Sequence, residues 1–117
     1  MKGMVKFMTQ KQKEILTDLV IDNGIIYEES KSALYHTNLR AFERLQSVIN
    51  YCHSLFIECV YNATNDNADY IENRLVDLLA GVARYRHSYE VGTNTYKVFN
   101  SLFDKIAETF TDFRNTL

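Results

Sequence analysis

The stretch 35-YHTNLRAFERLQSVINYCHSLFIECVYNA-63 decides the fold. Its apolar positions, Tyr35, Leu39, Phe42, Leu45, Ile49, Cys52, Phe56, Cys59 and Ala63, recur at steps of three and four. Such a series lines one face of a helix and does not fit a strand, whose faces alternate every second residue. No proline interrupts the stretch. None occurs anywhere in the 117 residues, and there are only four glycines. Those two residues are the strongest backbone punctuation, so their scarcity leaves long segments free to remain helical. An unbroken helix from Ser30 to Ala63 would span ~50 Å, longer than a small domain is wide. A break is therefore expected near His36-Thr37-Asn38, with Thr37 capping the second start. The alternative is one long helix that pairs with a second subunit.

Upstream of this stretch, residues 1–8 read as an irregular start. Thr9 is a good N-cap and Gln12 its capping-box partner. A first helix is predicted from Gln10 to Asp22, with Ile15, Leu16, Leu19 and Val20 on its apolar stripe. Asn23-Gly24 is predicted to end it, Gly24 taking the left-handed position after the last turn. Ile25, Ile26 and Tyr27 then form an apolar connector, and Glu28, Glu29 and Ser30 offer a new helix start.

Downstream, residues 62–67 are rich in Asn, Asp and Thr, which bond their own backbone in turns, and read as a loop. Asp66 or Asn67 caps a helix over Ala68–Ser88. Its stripe of Ile71, Leu75, Leu78, Val82 and Tyr85, widened by Val76 and Leu79, predicts the most buried, central helix. Gly81 inside it costs about 1 kcal/mol against alanine, a cost that close approach of a neighbouring backbone would justify. Gly92 ends this helix, and Thr93 or Thr95 caps the last one. Phe99, Leu102, Phe103, Ile106, Phe110, Phe113 and Leu117 line the final helix. The fold class is all-α: one domain over 1–117, a compact bundle of four to five helices with short connections.

Composition narrows the function classes. The chain is 46% hydrophobic and 24% charged, as folded domains are. Its net charge of −2 disfavours nucleic acid as the main partner, because affinity for phosphate backbones comes from clustered Lys and Arg. Lys2, Lys6, Lys11 and Lys13 precede the first acid, Glu14, and read as a solvated basic start. No apolar run reaches the ~18 residues of a membrane span, and the N-terminus carries no apolar signal-peptide core, so the expected compartment is the cytoplasm. Cys52 and Cys59, the two cysteines, lie ~10.5 Å apart along a common helix and cannot bond to each other there.

The segment most suggestive of chemistry is Arg84-Tyr85-Arg86-His87-Ser88-Tyr89. Cations at a helix C-terminus complement its dipole, which gives these residues a structural reading. Their functional reading is binding: Arg84 and Arg86 clamp a phosphate or carboxylate while Tyr85 or Tyr89 stacks on a ring. His36 and His53 stand apart, and no His-x3-His, Cys-x2-Cys or Glu-x2-His spacing places ligands on one helical turn, so neither a metal site nor a cofactor is expected. The carboxylates Asp104, Glu108 and Asp112 recur at i,i+4 and predict a solvated outer face opposite the Phe stripe.

Two resemblances arise from these residues. Arg84, His87 and Tyr89 on one helix resemble the Arg-and-His helix of HEPN-type ribonucleases, which implies RNA cleavage with His87 as acid or base, Arg84 on the phosphate and Tyr89 nearby. The spacing departs from that family, whose Arg and His are four to six residues apart. Leu78-Leu79-Ala80-Gly81-Val82-Ala83-Arg84 followed by Phe99, Leu102, Phe103, Ile106 and Phe110 resembles the central and following helices of poxvirus Bcl-2-like proteins, which block host signalling. That likeness covers only the last two helices, leaves out the N-terminal half and carries over no groove residues.

With familiar catalytic spacings missing and aromatics at 13%, eight Tyr and seven Phe among them, the expected function is non-enzymatic protein–protein interaction. The chain reads as a small regulator or inhibitor of the viral, phage or mobile-element accessory type, acting as a homodimer. Tyr27, Tyr35, Tyr51, Tyr61, Tyr85 and Tyr89 are the candidate interface tyrosines. RNA cleavage or RNA binding through Arg84 and His87 is the alternative.

Overall fold

Thr9 opens the first helix as expected. Its Oγ1 accepts from the Gln12 amide at 3.1 Å, and the Gln12 side chain accepts from the Thr9 amide at 3.0 Å. The computed structural model describes residues 9–61 and 68–117. These form α1 (Gln10–Thr37), α2 (Leu39–Tyr61), α3 (Ala68–His87) and α4 (Asn94–Arg114). No strand occurs among the described residues. The expected basic start at Lys2 and Lys6, and the loop over 62–67 with its Asp66 or Asn67 cap, lie outside the described residues.

The largest departure from the sequence reading is at Asn23-Gly24. The helix does not end there, and neither a connector at Ile25–Tyr27 nor a new start at Glu28–Ser30 exists; α1 runs on to Thr37. Gly24 does not adopt positive φ, which among the described residues only Gly92 does. Asn23 is fully buried and donates to the Leu19 carbonyl at 2.7 Å, one turn back in the same helix. Continuing the helix packs Ile26 and Tyr27 against the core and buries Leu34. That gain in apolar burial outweighs the roughly 1 kcal/mol that glycine costs in a helix.

The break expected near residues 36–38 is found at Asn38. There the cap is Asn38 and not Thr37: its Oδ1 accepts from the Ala41 amide at 3.1 Å, while its own amide donates to the Leu34 carbonyl at 2.8 Å. The Thr37 hydroxyl instead donates back to Ala33 at 2.7 Å. One residue thus closes α1, opens α2 and forces the two antiparallel. At the other sharp connection, Gly92 has φ 93° and Thr93 caps α4 by accepting from the Tyr96 amide at 3.2 Å.

The helices pack up-down-up-down in a ring, α1 against α2 and α4, and α3 against α4 and α2. Gln12 Nε2 donates to Thr116 Oγ1 at 3.0 Å, tying the start of α1 to the end of α4. The core is a single column that includes Leu16, Leu19, Leu45, Leu55, Ile71, Leu75, Phe99 and Phe113, all fully buried. The bundle measures 54 × 21 × 18 Å, its long axis set by the 28-residue α1. α3 is not a central helix. It occupies one corner of the ring, with Val76 exposed and Leu79 only partly covered. Nor does a neighbouring backbone approach Gly81, where an added Cβ would meet no atom within 4 Å.

Candidate functional site

The Arg84–Tyr89 segment ends α3, and helical geometry distributes its side chains to different surroundings. Arg86 turns toward α4. Its guanidinium lies 4.3 Å from the Phe103 ring centroid and its Nη1 donates to Asn100 Oδ1 at 3.0 Å, leaving Nε buried without a partner among the described residues. Arg84 is exposed and borders α2. The two arginines therefore do not converge on one anion. His87 is exposed. Tyr85 and Tyr89 are half-buried on Phe99, Tyr85 edge-on at 5.8 Å and Tyr89 stacked at 5.5 Å with 15° between planes.

The cation that does meet these tyrosines comes from α2. The Arg44 guanidinium stands 5.0 Å from the Tyr85 ring and 5.7 Å from the Tyr89 ring, and its Nη1 donates to the Tyr89 hydroxyl at 3.1 Å. Nothing in the sequence pointed to Arg44, because its partners are more than 40 positions away.

A second arginine–tyrosine cluster joins α2 and α3 at their other ends. Arg74 Nη1 donates to Glu58 Oε2 and to the Tyr70 hydroxyl, each at 2.7 Å, and Nε donates to the Tyr51 hydroxyl at 2.8 Å. The Tyr70 hydroxyl donates to Glu58 Oε1. The hydrogen bond from Tyr70, followed by that from Arg74, holds the Glu58 carboxyl below the usual carboxylate range. Bonding to that carboxylate raises the Tyr70 phenol above its ordinary value. Burial works against the Arg74 charge, but its bonds to Tyr51, Glu58 and Tyr70 outweigh that and keep it firmly protonated. Only Tyr70 and Arg74, at i,i+4 on α3, were pairable from spacing alone.

Between these two clusters, α2 and α3 leave a cleft of about 240 Å³. Val48, Leu78 and Val82 form its buried floor, and bare Gly81 widens it. Asp77 and Arg84 lie along its rim, and Tyr51 and Tyr85 line it.

A shallower and larger trough of about 500 Å³ runs on the other side of α2, against α1. Ile21, Gly24 and Ile25 of α1 and Ile49 and His53 of α2 line it. Ile21 is 52% exposed and Ile25 51%. Ile57, one turn beyond His53 on α2, is 55% exposed. Of the candidate interface tyrosines, Tyr35 is exposed, whereas Tyr27, Tyr51, Tyr85 and Tyr89 are half-buried in contacts within the chain. The Tyr61 side chain lies outside the described residues. The surplus apolar surface is thus mainly aliphatic, with Tyr35 its one tyrosine among the described residues, since the other described tyrosine rings of this set are used on arginine and phenylalanine inside the bundle.

The remaining candidate groups are dispersed. Cys52 is buried and free, and burial pushes its thiol up to about 12, which makes it unreactive at neutral pH. Cys59 shares α2, but its side chain lies outside the described residues. His36 meets Tyr35 edge-on at 5.3 Å, and His53 is exposed. Asp104, Glu108 and Asp112 form the expected exposed face of α4. Among the described residues no three His, Cys, Asp or Glu side chains gather to hold a metal ion, and no helix is long and apolar enough to cross a membrane. The chain matches no protein-family model, no curated protein and no solved structure.

Proposed function

We propose that this chain is a non-enzymatic protein–protein interaction module, a small regulator or inhibitor that acts as a homodimer through the outer face of its α1–α2 hairpin. One observation carries the reading. Five of the eight large apolar side chains left exposed among the described residues, Ile21, Ile25, Tyr35, Leu39 and Ile57, belong to that hairpin. Ile21 and Ile25 stand one turn apart on the lip of the α1–α2 trough. Apolar side chains exposed singly are ordinary; a pair of them on the lip of an open apolar trough, with more on the same hairpin, favours a surface that is covered by a partner. Light scattering on purified protein is the test. The native chain runs at twice its monomer mass, and Ile21→Glu with Ile25→Glu reduces it to monomer while the helical circular dichroism is retained. A native chain that stays monomeric at roughly 100 μM, too weak for an obligate dimer, overturns the reading.

The ribonuclease alternative draws on a different observation. Arg84 and His87 are both exposed, one turn apart on α3, and neither side chain has a hydrogen bond or ion pair within the described residues, although the Arg84 carbonyl accepts from the Ser88 hydroxyl at 3.1 Å. On that reading the purified protein cuts RNA and His87→Ala abolishes the cut. If the protein leaves RNA intact, the alternative is dead and the binding reading is untouched.

A further inference from the structure

The α2–α3 cleft differs from the trough that supports the dimer. Both of its ends are fixed by polar clamps, Arg44 against Tyr85 and Tyr89 at one end and Arg74 with Tyr51, Tyr70 and Glu58 at the other. Those clamps tie the two helices above and below, while the absence of a side chain at Gly81 keeps the middle open. A cavity held open in this way binds without first having to reorganise.

Its lining has three parts. The floor is apolar, made by Val48, Leu78 and Val82. Tyr51 and Tyr85 supply aromatic surface. Asp77 and Arg84 supply one charge of each sign, both exposed and neither side chain in a hydrogen bond or ion pair within the described residues. These two lie four residues before and three residues after Gly81, so they share its face of the helix. Their Cα atoms are ~10.5 Å apart along the axis, and an arginine on a helix leans back toward the N-terminus, here over Gly81.

An acid and a base on the rim of one apolar cleft, each exposed and without a side-chain partner within the described residues, favour a ligand that carries both opposite charges. A polyanion would gain at Arg84 and be repelled at Asp77. A neutral apolar molecule would leave both unanswered. At protein packing density, about 240 Å³ holds about a dozen non-hydrogen atoms, which limits the apolar body carried beside the two charges to one small ring or branched chain. We infer that the α2–α3 cleft is a binding site for a free aromatic amino acid, with its ammonium on Asp77, its carboxylate on Arg84 and its ring over Gly81 on the Val48–Leu78–Val82 floor. The site is separate from the proposed dimer face, so either can fail without the other.

The test titrates isotope-labelled protein with L-phenylalanine, N-acetyl-L-phenylalanine and L-phenylalaninamide while amide resonances are followed. L-Phenylalanine is expected to shift Val48, Gly81 and Val82. Each derivative, lacking one charge, should bind about tenfold more weakly, the size of one charged hydrogen bond. Arg84→Gln should weaken L-phenylalanine and L-phenylalaninamide unequally: the first loses its carboxylate contact, the second has none to lose. Asp77→Asn should likewise weaken L-phenylalanine and spare N-acetyl-L-phenylalanine. Gly81→Leu, which fills the cleft, should abolish the shifts. The surface variants Arg84→Gln and Asp77→Asn keep the test decisive if Gly81→Leu does not fold. Equal binding of all three compounds, shifts that map elsewhere, no shift at roughly 10 mM ligand, or binding of a short RNA in preference would each overturn the site.

Discussion

Arg74 and Tyr51 hold each other twice. The arginine Nε donates to the tyrosine hydroxyl at 2.8 Å, and that hydroxyl donates to the main-chain carbonyl of the same arginine at 3.1 Å. The guanidinium also lies 4.9 Å from the Tyr51 ring centroid. One hydroxyl on α2 therefore fixes both the side chain and the backbone of a residue on α3. Tyr51→Phe keeps the ring and removes both bonds, leaving Arg74 Nε without its acceptor in a partly buried place. The expected cost is about 1–2 kcal/mol, read as a lower midpoint in urea at unchanged slope. No loss of stability would show that the stacking alone holds α2 to α3.

The same cluster makes stability depend on acid. The Glu58 carboxyl is held below its unfolded value by the Tyr70 hydroxyl and then by Arg74. A depressed carboxyl contributes stability that is present above its unfolded pKa and disappears as pH falls through the folded one. At pH 7 the native chain should therefore be more stable than Glu58→Gln. The gap should narrow as pH drops below about 4, where the unfolded chain takes up the proton first, and close once pH has fallen past the lowered folded value. Urea midpoints of the two proteins between pH 7 and pH 3 check this. A gap that stays constant with pH would mean that Glu58 acts through packing and not through its charge.

Asn23 presents the opposite case, a buried polar group only half satisfied. Its Nδ2 bonds to Leu19, but its Oδ1 has no partner among the described residues, although the residue is fully buried. An unmade hydrogen bond of this kind costs about 1–3 kcal/mol. Leucine has the same branching and the same number of side-chain heavy atoms, and it forms helices better than asparagine. Asn23→Leu should raise the thermal midpoint by several degrees, as about 1 kcal/mol does for a domain near this size. A fall instead would reveal a bound water on Oδ1 or too little room for two methyl groups.

Asn23 also shows where sequence reading stopped. Asn-Gly carries a strong local stop signal, and on local grounds a helix should end there. What overrode it is non-local: Ile26, Tyr27 and Leu34 reach the core only if the helix continues. The Phe42–Phe56 part of the α2 periodicity, the Thr9 cap and the Phe99–Phe113 stripe were legible because each rests on neighbours within one or two turns, whereas Tyr35 falls on α1 and Tyr35 and Leu39 are exposed. The candidate site was legible only in part. Arg84 and Tyr85 line the cleft, but Arg86 and Tyr89 belong to the packing of α4. Tyr51 was legible only as a candidate interface tyrosine, and Arg44 and Asp77 not at all, since their significance comes from a helix that the chain returns to only after a connection.

Gly24 and Gly81 permit the sharpest comparison. Both lie inside helices, neither has positive φ, and a Cβ at either would meet nothing within 4 Å. Alanine is then free to act through helix propensity alone, worth about 1 kcal/mol at each position. The two sites are on different helices that face different grooves, so their effects should add. Gly24→Ala and Gly81→Ala are each expected to raise the urea midpoint, and the double variant to raise it by the sum. Two glycines kept where alanine would make the bundle more stable need a reason outside folding, and the reason available at each is the groove it opens: the α1–α2 trough at Gly24 and the α2–α3 cleft at Gly81. If Gly81→Ala instead lowers stability, α3 already uses that space for packing against α2, and the cleft loses its claim to be a site.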